Sequence, residues 1–340
     1  MAPLGSFRLA SCRSCGFSFN SAFESARMVY DGTYDNFVAS DVFRAYYRTV
    51  ACFLIERFAL KGGRVYDIGC GKGEFLATLC QLAPTLRGIG IDPSCEPGSR
   101  GNLTLVRDIF RPGHFEMDGR LVVCRHVLEH LPKPVVFLAD LAAAAPGAPL
   151  YVEVPSLEWI IERGAFWDFC YEHCNYFTRH SLERVLTRSG WHVEEVGTSF
   201  DSQYLWAIAR ASPVAGLHTH GSNLGEDDVS QVLAYAAREE ARLEEMRARA
   251  RATGGVALWG MATKGVMLSL LLAGEVLGGV DMNVRKQGHY AAGSGVRIHS
   301  PSWLETLPAD VPILVTNSMY LEEVRAQAAR VRKDLAVLPV

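Results

Sequence analysis

The chain has no apolar run long enough to span a bilayer. Its longest candidates, residues 266–272 and 135–145, are short and read as buried helices. Residues 1–13 lack the charged start, apolar stretch and cleavage site of a secretory signal. An excess of charge of one sign is also nearly missing. A formal net charge of −3 over 340 residues gives no general attraction to nucleic acid or to anionic membranes. Nor is there a disulfide framework, because the 9 cysteines are odd in number and scattered through core-forming sequence. That usage points to a reducing cytoplasm. The absences leave a cytoplasmic globular protein with neither nucleic acid nor membrane as partner. What it binds must be read from sites.

Apolar residues make up 49% of the chain and charged ones 21%, enough for a sizeable core. The length favours two domains. Residues 1–41 read as an irregular aromatic arm with a Cys12-Arg-Ser-Cys15-Gly16 turn, and a helix is expected over 42–58. Short apolar runs at 65–68, 88–92, 121–124 and 150–154 then alternate with helical stretches near 74–82, 135–145 and 181–189. Such βαβ alternation predicts a mostly parallel sheet covered by helices over residues 42–211. Residues 212–225 are rich in Ser, Gly, Pro and His and read as a linker. A charged helix over 226–252 opens a smaller C-terminal α/β domain, 226–340. Its strands are expected at 256–259, 311–315 and 335–340, with helices at 266–272 and 321–332.

The most specific feature is Val65-Tyr-Asp67-Ile-Gly69-Cys-Gly71-Lys-Gly73-Glu-Phe75. A strand runs into a glycine turn and then a helix, at the strand end where open α/β sheets bind ligands. A nicotinamide dinucleotide needs G-x-G-x-x-G or its terminal Ala variant. Counted from Gly69, Glu74 falls at the third glycine; counted from Gly71, Leu76 does. The spacing Asp-x-Gly-x-Gly-x-Gly instead resembles the first motif of class I S-adenosylmethionine-dependent methyltransferases. That resemblance implies a Rossmann-like sheet with S-adenosylmethionine as cofactor, its methionine part beside the turn and its amino group oriented by Asp67. Asp92, ending the next apolar run, is suited to both ribose hydroxyls, and Asp108 with Ile109 matches the adenine contact.

Two further clusters carry acid–base chemistry. Cys124-Arg-His126-Val-Leu-Glu129-His130 follows an apolar strand, so His126 could face cofactor or substrate while Glu129 and His130 fix the turn. Later, Tyr171-Glu172-His173-Cys-Asn-Tyr176-Phe177 sets an acid and an imidazole among aromatics. Methyl transfer from a sulfonium needs little help for the leaving group. It needs an aligned nucleophile freed of its proton, and histidine, with an ordinary pKa of ~6.5, suits that task.

These clusters, with Trp259-Gly260-Met-Ala-Thr-Lys264-Gly265, Asp281, Lys286-Gln-Gly288, Gly293-Ser294 and Ser300-Pro301 in order, resemble the sugar C-methyltransferase family over nearly the whole chain. Its best-understood members methylate nucleotide-linked 4-keto sugars at C3. The resemblance implies His173 as general base, with Tyr171, Glu172 and His126 about it. Tyr176, Lys264 and Lys286 would lie near the substrate, the lysines by its anionic part. The family's fuller N-terminal zinc module has two cysteine pairs, whereas this arm has only Cys12 and Cys15. A structural zinc site takes four ligands, so no metal is expected. Cys170 also stands where a tyrosine is usual, which loosens the substrate assignment. Other readings stay open: N- or O-methylation of another natural-product intermediate, an NAD-dependent sugar oxidoreductase, or a non-catalytic cofactor-binding module.

Overall fold

The apolar runs become strands and the amphipathic ones helices in the computed structural model, which describes residues 5–32, 41–116, 119–212, 224–316 and 320–340. The chain divides into a larger unit, Gly5–Arg163 with Cys170–Val232, and a smaller one built on Gly164–Phe169 and Leu233–Val340.

In chain order the larger unit contains β1 (Leu9–Ser11), β2 (Ser18–Asn20), α1 (Asp41–Arg57), β3 (Gly63–Ile68), α2 (Glu74–Leu82), β4 (Leu86–Ile91), β5 (Gly98–Arg100) and β6 (Leu103–Val106). After these come β7 (Gly119–Arg125), α3 (Pro134–Ala144), β8 (Pro149–Pro155), α4 (Leu157–Arg163), β9 (Asn175–Tyr176), α5 (Arg179–Arg188), β10 (Trp191–Ser199) and β11 (Tyr204–Ala211). The main sheet has the order β10-β11-β8-β7-β3-β4-β6-β5. Strands β8, β7, β3, β4 and β6 run parallel, while β11 enters antiparallel against β8 and pairs with β10. Because the order reverses beside β3, a crevice opens at the carboxyl ends of β3 and β7. Val65, Leu121 and Val123 bury into the core on the α1/α2 side, whereas Ile68, Val122, Val152 and Val154 pack with α3 and α5 on the other. The strands are therefore covered on both faces, as a parallel sheet requires.

The arm differs from its expected irregularity. Its β1 and β2 form an antiparallel hairpin extended by β9, and Cys12 and Cys15 sit in the hairpin turn, where Gly16 takes φ 71°. Residues 1–4 and 33–40 of the expected arm lie outside the described residues, as do 213–223 of the expected linker.

Helix α6 (Leu224–Ala252) leads into the smaller unit, with β12 (Val256–Trp259), α7 (Thr263–Leu271), β13 (Val276–Val280), β14 (Ile298–His299), β15 (Ile313–Val315), α8 (Leu321–Val331) and β16 (Val337–Pro339). Its all-parallel sheet has the order β14-β13-β12-β15-β16. Two boundaries depart from the expected ones: residues 164–169 cluster with this unit, and 224–232 with the larger. Phe166 shows why, since it packs on the core built from Leu258, Met261 and Leu268. No described helix is long and apolar enough to cross a membrane.

Candidate active site

Strand β3 is buried from Val65 to Ile68, and the chain then needs a turn with no side chains in the way. Gly69, Gly71 and Gly73 take φ values of 75°, 53° and 84°, the left-handed region that favours glycine. A Cβ on Gly69 would stand 2.2 Å from Val127 Cγ2. The turn is pinned from β4: Gly69 N donates to Ile91 O at 2.8 Å, and Gly71 N to Asp92 Oδ2 at 2.9 Å. Asp92 Oδ1 accepts from Ser94 N and Oγ, both at 2.7 Å. Lys72 Nζ closes the rim on Ser94 O at 2.8 Å and Gly32 O at 3.4 Å.

Above this turn lies a cavity of about 560 Å³ whose walls include Asp67, Gly69, Gly71, Asp92, Asp108 and Ile109, with Phe43, Tyr47, Phe75 and Phe110 as apolar surface. Gly73, the remaining glycine of the motif, instead starts α2 and packs against Leu105. Asp108 Oδ1 accepts from Ile109 N at 2.9 Å and faces Arg111 at 3.2 Å. Asp67 is 3% exposed. Burial pushes its carboxyl up to about 7, against the opposing pull of Arg125. A buried acid at this place suits a ligand that brings its own ammonium group. The glycine turn, Asp67 and the paired oxygens of Asp92 thus fit S-adenosylmethionine.

Beneath the cavity the sheet carries a row of alternating charges. Arg125, ending β7, and Glu153 of β8 are register partners. Glu153 is fully buried and accepts from Arg125 Nη2 at 2.7 Å, Tyr151 Oη at 2.7 Å and Tyr46 Oη at 2.5 Å. Burial opposes its charge, yet Arg125, His126 and Tyr46 hold the carboxyl well below the usual range. The Arg125 guanidinium also lies 4.4 Å from the Phe75 ring centre, a cation–π contact. His126 follows with φ 55°, a strained value for a non-glycine residue. Its Nε2 stands 3.2 Å from Glu153 Oε1 and its Nδ1 3.4 Å from Glu129 Oε1. Burial favours the neutral ring, but the two carboxylates outweigh it and push the imidazole up to about 9. His126, expected among the acid–base groups, is thus held as a cation and is no free base near neutral pH.

The turn at 128–131 is stitched to the second cluster. Cys174 N donates to Glu129 O at 2.7 Å, and the Asn175 amide donates to Leu128 O at 2.8 Å and Leu131 O at 2.7 Å. His130 Nδ1 lies 3.0 Å from Glu172 O and 3.1 Å from Tyr30 Oη. Tyr30 and His130 line the cavity, and the His173 ring stands edge-on to His130 with centroids 4.9 Å apart. Glu129, His130 and His173 each bring one ligand-type atom within 4.8 Å of the others, so they could also hold a metal ion. Tyr171 points elsewhere: its hydroxyl accepts from Glu24 N at 3.0 Å, and its ring meets Phe23. Tyr176 is 3% exposed, with its hydroxyl on Cys170 O at 3.2 Å, so it braces the loop.

In the smaller unit, the Lys264 ammonium stands 3.5 Å over the Trp167 ring beside half-buried Asp168. Lys286, expected near an anion, is already neutralised: its Nζ lies 2.9 Å from Asp281 Oδ2, which also accepts from Met261 N at 2.9 Å. Arg125, Glu153 and Tyr30 were not singled out from the sequence. Glu153 had a signal, a carboxylate inside the apolar run 149–155; Tyr30 had none.

Residues 43–196 match the family described as a methyltransferase domain. The C-methyltransferase NovU of Streptomyces niveus is 30% identical over 300 residues, covering 78% of this chain and 70% of that protein. The ubiquinone biosynthesis O-methyltransferase of Hahella chejuensis is 31% identical over 113 residues, which cover 29% of this chain and 46% of that one. Among solved structures, CalO1, a methyltransferase in calicheamicin biosynthesis in its SAH-bound form, aligns at 18% identity with a TM-score of 0.41. The alignment covers 50% of this chain and 54% of that one. The family match sets aside the nicotinamide oxidoreductase and the non-catalytic module. The chain belongs to the class I S-adenosylmethionine-dependent methyltransferases, in the family of the C-methyltransferase NovU, and S-adenosylmethionine is its cofactor.

Proposed function

We propose that the enzyme methylates a small molecule at carbon, next to the ketone of a nucleotide-linked keto sugar, with His173 as the general base. One observation carries this reading: the 128–131 turn at the cofactor cavity is stitched by hydrogen bonds to the 172–175 segment, which brings His173 beside cavity-lining His130. Bound S-adenosylmethionine supplies the methyl group on a sulfonium that is already a good leaving group. The protein's part is to take the acidic proton alpha to the ketone and to hold the enolate in line. Asp67, Gly69, Gly71 and Asp92 hold the cofactor's amino-acid and ribose parts, and Asp108 with Ile109 its adenine. Lys264, at the start of α7, takes the anionic part of the substrate. Lys286 shapes the Gly260 turn through Asp281.

Incubation with methyl-labelled cofactor and a panel of nucleotide sugars and amines tests the reading. A methylated nucleotide keto sugar is expected, and its yield should fall at least a hundredfold in His173→Ala. Product only with amines or hydroxyl acceptors, or full turnover by His173→Ala, would overturn it.

A further inference from the structure

Glu129 is 1% exposed, and neither of its carboxylate oxygens accepts an aligned hydrogen bond. A buried carboxylate left so bare has its charge balanced by what surrounds it. On one side stands the His126 ring, 3.4 Å away and itself fixed by Glu153. On the other, His130 and His173 bring a nitrogen each within 4.8 Å. Among the described residues, Cys124 of β7, Cys174 beside β9 and Tyr30 of the arm also feel its charge. Arg125, Glu153, His126 and Glu129 alternate in sign, and Glu129, the last of them, faces the two imidazole rings.

We infer that Glu129 is the positioning residue of the His130–His173 pair, a fixed counter-charge for the imidazolium formed when a proton is taken from substrate. The inference rests on the reading of His173 as base. His126 is what allows it, since its positive charge keeps Glu129 ionised out of water, and low local dielectric strengthens the pull on a nearby imidazolium. The same relation holds in a carboxylate–histidine pair that orients and stabilises a catalytic imidazole. Stitching of the two segments fixes the distance, because Cys174 N donates to the carbonyl of Glu129 itself.

The test uses the full chain with 13C-labelled histidine and glutamate, the His173 signal being assigned by its loss in His173→Asn. In the unsubstituted protein the Glu129 carboxylate carbon should move with the same midpoint as the His173 ring, a readout that needs no substitution at Glu129. In Glu129→Gln the His173 midpoint should fall by at least one pH unit, about tenfold in proton affinity, while Glu129→Asp keeps most of it. With the nucleotide keto sugar as acceptor, kcat should drop about a hundredfold in Glu129→Gln at nearly unchanged KM, and the acid limb of its pH profile should move to lower pH. A Glu129 signal that ignores the His173 titration, or an unchanged His173 midpoint in Glu129→Gln, overturns the inference. So does one equivalent of zinc or manganese that survives dialysis and leaves on Glu129→Gln, for the three side chains would then be metal ligands. If the two signals titrate together but no sugar is methylated, the substrate reading fails and the placement of Glu129 stands.

Discussion

At the scale of single residues, the site depends on charges held out of water. Asp67 is pushed up to about 7 by burial, so it is mostly protonated at pH 6 and mostly ionised at pH 8. A ligand ammonium pairs only with the ionised form. Binding of S-adenosylhomocysteine should therefore tighten about tenfold from pH 6 to pH 8, measured by calorimetry, and Asp67→Asn should lose both the affinity and the trend. His126 acts on stability with the opposite sign. Its folded pKa of about 9 lies above the ordinary ~6.5, so its contribution is complete below pH ~6.5 and is lost as pH rises through 9. Urea midpoints should fall across that window and flatten in His126→Asn. Motif spacing pointed to Asp67, Asp92 and Asp108, and all three line the cavity. Arg125 and Glu153 were not: a charge in an apolar run shows its partner only once the register of β7 and β8 is known.

At the scale of elements, the glycine turn shows how a sequence signal becomes geometry. Gly69 combines φ 75° with a neighbour 2.2 Å from where a Cβ would stand, so two separate costs attach to one substitution. Gly69→Ala should weaken S-adenosylhomocysteine binding at least tenfold. Adding Val127→Ala, which removes the neighbour, should restore part of that loss, because about 1–2 kcal/mol of left-handed backbone strain stays behind. Full restoration would mean that φ is irrelevant; none would mean that Val127 is not the obstacle. Strand–helix alternation made the parallel strands β3, β4, β7 and β8 and the helix α2 readable, but not the short parallel strand β6. The antiparallel pair was missed, since β10 carries His192, Glu194 and Glu195 on a largely solvated edge and lacks an apolar run. β13 was missed because Gly278 and Gly279 imitate a turn, although Gly279 is needed where the Met261 side chain lies 2.5 Å from a Cβ position.

At the scale of the whole molecule, the cofactor cavity is built wholly from the larger unit, whereas Lys264 belongs to the smaller. Two kinds of defect should therefore be separable. Lys264→Ala should leave the Kd for S-adenosylhomocysteine unchanged and raise the KM for a nucleotide-linked acceptor about tenfold, whereas substitutions at Asp67 or Gly69 should do the reverse. Pattern alone gave two α/β units, but it could not see that residues 164–169 join the later one, because that depends on where Phe166 finds apolar company. The central claim, that the bend after Ile68 takes a sulfonium donor, is tested most directly by calorimetry of the intact protein with S-adenosylhomocysteine and with NAD. One equivalent of S-adenosylhomocysteine should bind and NAD should give no heat; saturable binding of NAD without S-adenosylhomocysteine would contradict the account.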